Sequence, residues 1–301
     1  MNFELIDEIE VHNELGEGVF WDQRRQRIWW TDIVGQRLFR YDPIARQLEQ
    51  WQTPHRLACF ATVAGEDYLI AAFDRGFAYY RPETQRVHWL HQIETDNPGT
   101  RLNDGRCDRQ GRFWAGSMVE NDDIATDKGQ LYCLDRDLTV SAWVAGLSIT
   151  NSLCWSPRGD RMYHCDTPRQ RIDQYRFDTA TGAPSEREDF CQTDAGCYPD
   201  GSTVAADGTV WNAQWGGQRV VRYSDAGDTL DTLTTPARQS SCVAFGGPDL
   251  NLLIITSAWQ GMSEDQRGAD PSAGNLFIYK TPFKGLPEPE FMASARHQWG
   301  P

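Results

Sequence analysis

Apolar and polar positions alternate in short runs along this chain, and hardly any segment repeats its apolar residues at helical spacing. The runs are rich in Val, Ile, Trp, Tyr and Phe and are bounded by Gly, Asp, Asn or Pro, as expected of strands separated by turns. One unit recurs: a short apolar strand, a polar turn, then a second strand. It reads GVFWDQRRQRIWWTD from Gly18, ACFATVAGEDYLIAA from Ala58 and DGRCDRQGRFWAGS from Asp104. It returns as SLCWSPRGDRMYHCD from Ser152, GSTVAADGTVWNAQ from Gly201 and SCVAFGGPDLNLLIIT from Ser241. A third strand follows, in QRLFRYDP, GFAYYRPE, GQLYCLDRD, QRIDQYRFD, QRVVRYSD and NLFIYKTP. Six copies spaced by roughly 40 to 50 residues have the period of propeller blades.

The pattern predicts an all-β protein, a six-bladed β-propeller around a central channel, with residues 1–301 as a single domain. Candidate fourth strands are LEQWQ, VHWLHQI, VSAWVAG, EREDFCQ and LDTLTT. The sixth blade lacks one, and the N-terminal NFELIDEIEV is expected to complete it, because closing the ring removes exposed strand edges. The 12 tryptophans suit apolar contacts between blades.

Charge narrows the function. The formal net charge is -14, from 43 acidic and 29 basic residues, which argues against nucleic acid and anionic lipid as partners. No apolar run approaches the ~18 residues of a membrane span, and MNFELIDEIEVH has neither a basic nor an apolar leader region. A cytoplasmic protein is expected. Cys59, Cys107, Cys133, Cys154, Cys165 and Cys242 sit in apolar runs and Cys191 and Cys197 nearer a loop, all read as free thiols. No Cys-x-x-Cys pair and no metal-ligand spacing among the six histidines is present.

The stretch RLNDGRCDRQGRFWAGS, from Arg101, carries two turn signals where one would do. Aligning the blades assigns DRQG to the turn and puts RLN just ahead of the innermost strand, at the channel mouth. The equivalent position holds Glu17 in blade one, Asn103 in blade three, Asn151 in blade four and Asp200 in blade five. Oxygen donors converging from four blades, without sulfur or imidazole, describe a hard-cation site in the central channel. Asp104, Asp108 and Asp166 read instead as turn or strand-end residues.

LGEGVFW, RLNDGRCDRQGRFWAGSM, ITNSLCWSP and YPDGSTVAADGTVW, in that order over nearly the whole chain, resemble the SMP-30/gluconolactonase family of six-bladed propellers. The resemblance implies Glu17, Asn151 and Asp200 as ligands of one divalent cation: calcium, magnesium, manganese, ferrous iron or zinc. It implies Arg101 and Asn103 as substrate contacts and, on a looser match, Glu120. The implied reaction is hydrolysis of an aldono-lactone, a small-molecule ester, with Asp200 as general base. Val19 and Ser152 depart from the family, which commonly has Pro and Gly there; Ser152 lies beside a ligand. Three rivals remain: a non-enzymatic calcium-binding propeller, a protein-binding propeller module suggested by RIWWTDIVGQRLFRYD, and a phosphotriesterase-like or other esterase activity on the same metal site. The loops near Glu120 and over Ser257–Gly274 are candidate lids.

Overall fold

In the computed structural model, residues 3–120 and 127–293 are described. Among them the strands form six antiparallel four-stranded sheets, each a blade; in blades one to five the earliest strand is innermost, and in blade six the N-terminal strand is outermost. Those innermost strands are Gly16–Asp22, Leu57–Thr62, Thr100–Cys107, Thr150–Trp155, Tyr198–Val204 and Ser240–Gly246, in blades one to six. The expected outer strands form at Gln47–Gln52, Arg86–Gln92, Val140–Leu147, Pro184–Gln192 and Thr229–Thr234. Glu4–Ile9 pairs with Leu276–Lys280, so the N-terminal strand completes blade six and closes the ring.

The apolar core is divided among the six seams between blades. Trp114 packs on Trp155 at 5.9 Å across the seam of blades three and four, with Leu131, Leu153 and Met162 around them. Trp211 meets Phe245 edge-on at 5.6 Å between blades five and six, and Phe20 meets Phe60 at 5.3 Å between blades one and two. Each blade therefore buries both faces: in blade two the innermost strand, Leu57–Thr62, is buried at every position, while the outer strand Arg86–Gln92 alternates between exposed and half-buried positions in its first half. All eight cysteines are free, and six are buried in these seams and the channel wall.

Every innermost strand breaks register with its neighbour at the same level. The slips fall between Glu17 and Phe20, Leu57 and Cys59, Leu102 and Gly105, Asn151 and Cys154, Pro199 and Ser202, and Ser240 and Val243. A bulge bends the strand and re-aims its side chains. Here it turns polar residues into the channel. Two of the bulges use a left-handed residue, Gly18 at φ 60° and Ser152 at φ 61°. The Arg101–Asn103 segment consequently lies inside its innermost strand, not ahead of it. Asp104 belongs to the same strand and accepts a bond from the Leu153 amide at 3.0 Å, so it is not a turn residue. Asp108 does hold its turn, through the amides of Gln110 and Arg112, and Asp166 ends its strand.

The channel's two ends differ. Beyond the last strand, the segment from Thr281 to Ala293 crosses the face where innermost strands finish. Gly285 donates to Leu250, Ala206 to Lys284, and Met292 to Gly111. Phe291, fully buried, exchanges backbone bonds with Thr62 and Ala64. Glu288 accepts two bonds from Arg106 at 3.0 and 3.1 Å. The strap leaves the opposite mouth, where the bulges lie. Among the described residues no helix is long and apolar enough to cross a membrane.

Candidate functional site

At the open mouth a cavity of about 310 Å³ is lined by Glu17, Arg101, Asn103, Asn151 and Asp200. Asn103 and Asp200 lie in bulges, Glu17 and Asn151 directly before the bulges of their own strands, and Arg101 two positions ahead of Asn103, all brought together from blades one, three, four and five. Leu15, Met118, Ile149, Pro168, Tyr198 and Trp215 supply apolar walls, and Thr167 and Gln260 the remaining polar ones. Concave, mostly apolar walls with a few convergent polar groups are the usual form of a small-molecule site.

One hydrogen-bond relay orders the polar side. Arg101 Nη1 donates to Asn103 Oδ1 at 2.8 Å, and Asn103 Nδ2 donates to Asn151 Oδ1 at 3.0 Å. Asn151 Nδ2 donates to Thr167 Oγ1 at 2.9 Å, and Thr167 Oγ1 to the carbonyl of Pro199 at 3.0 Å. The relay crosses three blades and ends one residue before Asp200. Its bonds turn the Asn151 amide nitrogen toward Thr167 and the carboxamide oxygen toward Asn103, and that oxygen keeps a second lone pair.

Glu17 and Asp200 are both buried in the cavity wall and form an acidic pair whose charges interact. Burial, followed by the charge of Asp104, carries Glu17 up to about 8, against opposing pulls from the Gly18 amide and Arg101. Burial and the charge of Glu17 push Asp200 well above the usual carboxylate range. Two such groups hold a proton between them unless a cation takes its place. Among the described residues no three His, Cys, Asp or Glu side chains gather as a metal cluster. The available donor set is two carboxylates and a carboxamide, all oxygen.

Glu120 stands just outside the lining, on the far side of Arg101. It accepts from Arg101 Nε at 3.0 Å and from both terminal nitrogens of Arg56 at 2.6 and 3.0 Å. Burial raises Glu120, but the bonds and charges of the two arginines outweigh it and hold the carboxylate below its ordinary value. Burial in turn lowers Arg101, with Glu120 opposing. Sequence reasoning did not single out Arg56, although it immediately precedes the innermost strand of blade two, which, like that of blade six, offers neither a carboxylate nor a carboxamide. Thr167, Tyr198 and Trp215 carried no signal either. Of the two candidate lids, Ser257–Gly274 contains a short helix, Glu264–Ala269, and brings Gln260 to the cavity. The segment 121–126 after Glu120 lies outside the described residues.

Residues 15–259 match the family described as SMP-30/Gluconolactonase/LRE-like region. The chain is 36% identical over 288 residues to the L-arabinolactonase of Azospirillum brasilense, covering 95% of each. It is 33% identical to the 6-deoxy-6-sulfogluconolactonase of Pseudomonas putida, over 97% of this chain and 99% of that one. Among solved structures, the calcium-binding protein regucalcin of Agrobacterium tumefaciens superposes with a TM-score of 0.89 at 30% identity, over 95% of this chain and 97% of the other. With residues 15–259 matched and a closed ring of six blades, the chain belongs to the SMP-30/gluconolactonase/LRE-like family.

Proposed function

We propose that this chain, acting as a single propeller domain in the cytoplasm, hydrolyses an aldono-lactone to the open-chain sugar acid with the help of one divalent cation. The observation that carries the reading is the meeting of the Glu17–Asp200 pair with Asn151, Asn103 and Arg101 in one cavity. Relatives named as an L-arabinolactonase and a 6-deoxy-6-sulfogluconolactonase support a sugar lactone as substrate. Eight free thiols suit a reducing compartment.

The acidic pair fits a divalent ion. Burial raises both carboxyls, with the charge of Asp104 adding to Glu17 and that of Glu17 adding to Asp200, and an ion would remove that conflict. Glu17, Asp200 and the Asn151 carboxamide oxygen would hold it. When bound, the ion supplies Lewis-acid polarisation and makes water a better nucleophile. Asp200 takes a proton from the attacking water as its oxygen bonds to the lactone carbonyl carbon. The ring C–O bond then breaks, and Asp200 returns that proton to the departing ring oxygen, which leaves as a hydroxyl. Arg101, buried and aimed at the cavity, donates to a sugar hydroxyl or to the carbonyl oxygen as negative charge develops there. Glu120, kept ionised by Arg56 and Arg101, accepts from sugar hydroxyls at the rim. Tyr198 and Trp215 press on the apolar face of the ring and limit water around it.

A calcium-binding propeller without catalysis is the second reading, favoured by the regucalcin likeness. It would use the same three oxygens and leave Arg101 without a task. Acid release from arabinono-, xylono- and glucono-lactones separates the two. Chelator-stripped protein should be inactive, and adding back one of calcium, magnesium, manganese, ferrous iron or zinc should restore hydrolysis. Ion binding with no hydrolysis of any lactone would leave the calcium-binding reading.

A further inference from the structure

We propose that Ser152 is a positioning residue: its hydroxyl clamps the Asp200 carbonyl across a blade seam and so sets where the Asp200 carboxylate stands relative to Asn151. The inference rests on the ion-holding and base roles proposed above for Asp200.

Asp200 and Gly201 fall in the bulge of blade five, where pairing passes directly from Pro199 to Ser202. A bulge takes a carbonyl out of the strand ladder, and a buried carbonyl needs another donor. Two side chains supply it. Ser152 Oγ donates to Asp200 O at 2.6 Å, and Asn212 Nδ2 donates to the same oxygen at 3.0 Å. Asn212 also reaches Ser152 Oγ at 3.2 Å and Ser202 Oγ at 3.0 Å. Ser152 and Asn212 are both fully buried, so no water competes from bulk solvent.

Ser152 occupies an unfavourable backbone. Its φ of 61° lies in the left-handed region, where a side chain crowds the following carbonyl. Blade one solves the same bulge with Gly18 at φ 60°, which has no such penalty. The serine side chain therefore stands where glycine would fit more easily, and its hydroxyl is spent on Asp200. Its position also matters. Ser152 directly follows Asn151, so one bond ties the strand carrying the carboxamide donor to the residue carrying the carboxylate. Loosening it frees the two oxygens to drift apart without disturbing either blade's core.

The test uses full-length wild type, Ser152→Gly and Ser152→Ala, each stripped of metal. Calorimetric titration with Mn²⁺ and with Ca²⁺ reads the ion site, and hydrolysis of an arabinono-lactone reads kcat and KM separately. Ser152→Gly suits the left-handed turn and loses the whole hydroxymethyl group, whereas Ser152→Ala keeps Cβ and loses only the hydroxyl. It should melt at least as high as Ser152→Ala, bind ion about tenfold more weakly than wild type, and lose a similar factor in kcat with little change in KM. Ser152→Ala should show the same weakened binding with a lower melting temperature. Wild-type binding and turnover in Ser152→Gly would overturn the clamp while leaving the lactonase reading standing. Wild type that binds neither ion and hydrolyses no lactone would overturn both.

Discussion

Asn103 and Asn151 sit 48 residues apart in neighbouring blades, and the amide of the first donates to the carboxamide oxygen of the second at 3.0 Å. That bond joins the side of the cavity assigned to substrate to the side assigned to the ion. Asn103→Ala should therefore disturb both. It leaves Asn151 Oδ1 without its donor and removes the acceptor for Arg101 Nη1, which keeps only the Leu102 carbonyl. A loss of about 1–3 kcal/mol in stability is expected, together with weaker ion binding and a fall in kcat/KM. Calorimetry and steady-state kinetics on one preparation check it; unchanged ion binding would disconnect the relay from the ion.

Asp200→Asn should lower turnover by at least about 10²-fold, the scale of a lost general base. Its effect on the metal-free fold should run the opposite way. Asp200 is raised by burial first and then by repulsion from the charge of Glu17. Neutralising Asp200 removes that repulsion, so the stripped variant should resist urea better than stripped wild type at pH 8. Near-normal hydrolysis by the variant would remove Asp200 from the base role.

The blades were legible because their signal is local. Alternation and turn residues repeat within each blade, and even the closing strand Glu4–Ile9 could be inferred from the outer strand missing in blade six. Convergence of Glu17, Asn103, Asn151 and Asp200 was legible only by aligning blades with one another. Contacts set by tertiary geometry were not. Arg56 meets Glu120 across 64 residues and shares no motif with it. Asp104 looked like a turn residue because Asn-Asp-Gly is turn chemistry, but the bulge at Leu102–Gly105 accommodates those residues within a strand. Ser152 was visible as a departure beside Asn151; its left-handed backbone and its bond to Asp200 were not. The polar, proline-containing end of the chain gave no hint that Phe291 would be fully buried against blade two.

The acidic pair also sets a pH dependence. Glu17 rises from about 4.3 in an unfolded chain to about 8 in the metal-free fold. Between those values the folded protein retains a proton that the unfolded chain has released. Its stability accordingly falls as pH rises through that window. A divalent ion competes with the same proton, so apparent ion affinity should climb as pH rises toward 8. Urea midpoints of stripped protein from pH 5 to 8.5, with and without ion, check both. A stripped protein that gains stability over that range would contradict the raised pair.

Arg101→Ala should cost about 10²-fold in kcat/KM, as loss of a donor to developing charge does, while the ion still binds through Glu17, Asn151 and Asp200. Arg56→Ala is the informative companion. Glu120 would keep its bond from Arg101 but lose two from Arg56, so the expected change is a higher KM with kcat largely retained. Equal damage to kcat in both variants would mean that Arg56 acts on the chemistry itself.

The strap across the closed end offers a prediction about the scaffold alone. Arg106 and Glu288 are largely enclosed, with side-chain exposures of 11% and 18%, and pair at 3.0 Å. Breaking a mostly buried pair from one side leaves the other charge poorly solvated, whereas an exposed pair contributes little. Glu288→Gln should therefore destabilise by about 3 kcal/mol. Glu186→Gln is the control: its partner Arg176 is 72% exposed and Glu186 itself 65%, so a change below about 0.5 kcal/mol is expected. The strap lies at the end of the channel opposite the relay from Arg101 to Pro199. Glu288→Gln should thus lower the urea midpoint while leaving ion affinity and KM at wild-type values below the transition. A parallel loss of ion binding in fully folded Glu288→Gln would show that the strap reaches the site through the channel, by way of Arg106 and Asp104.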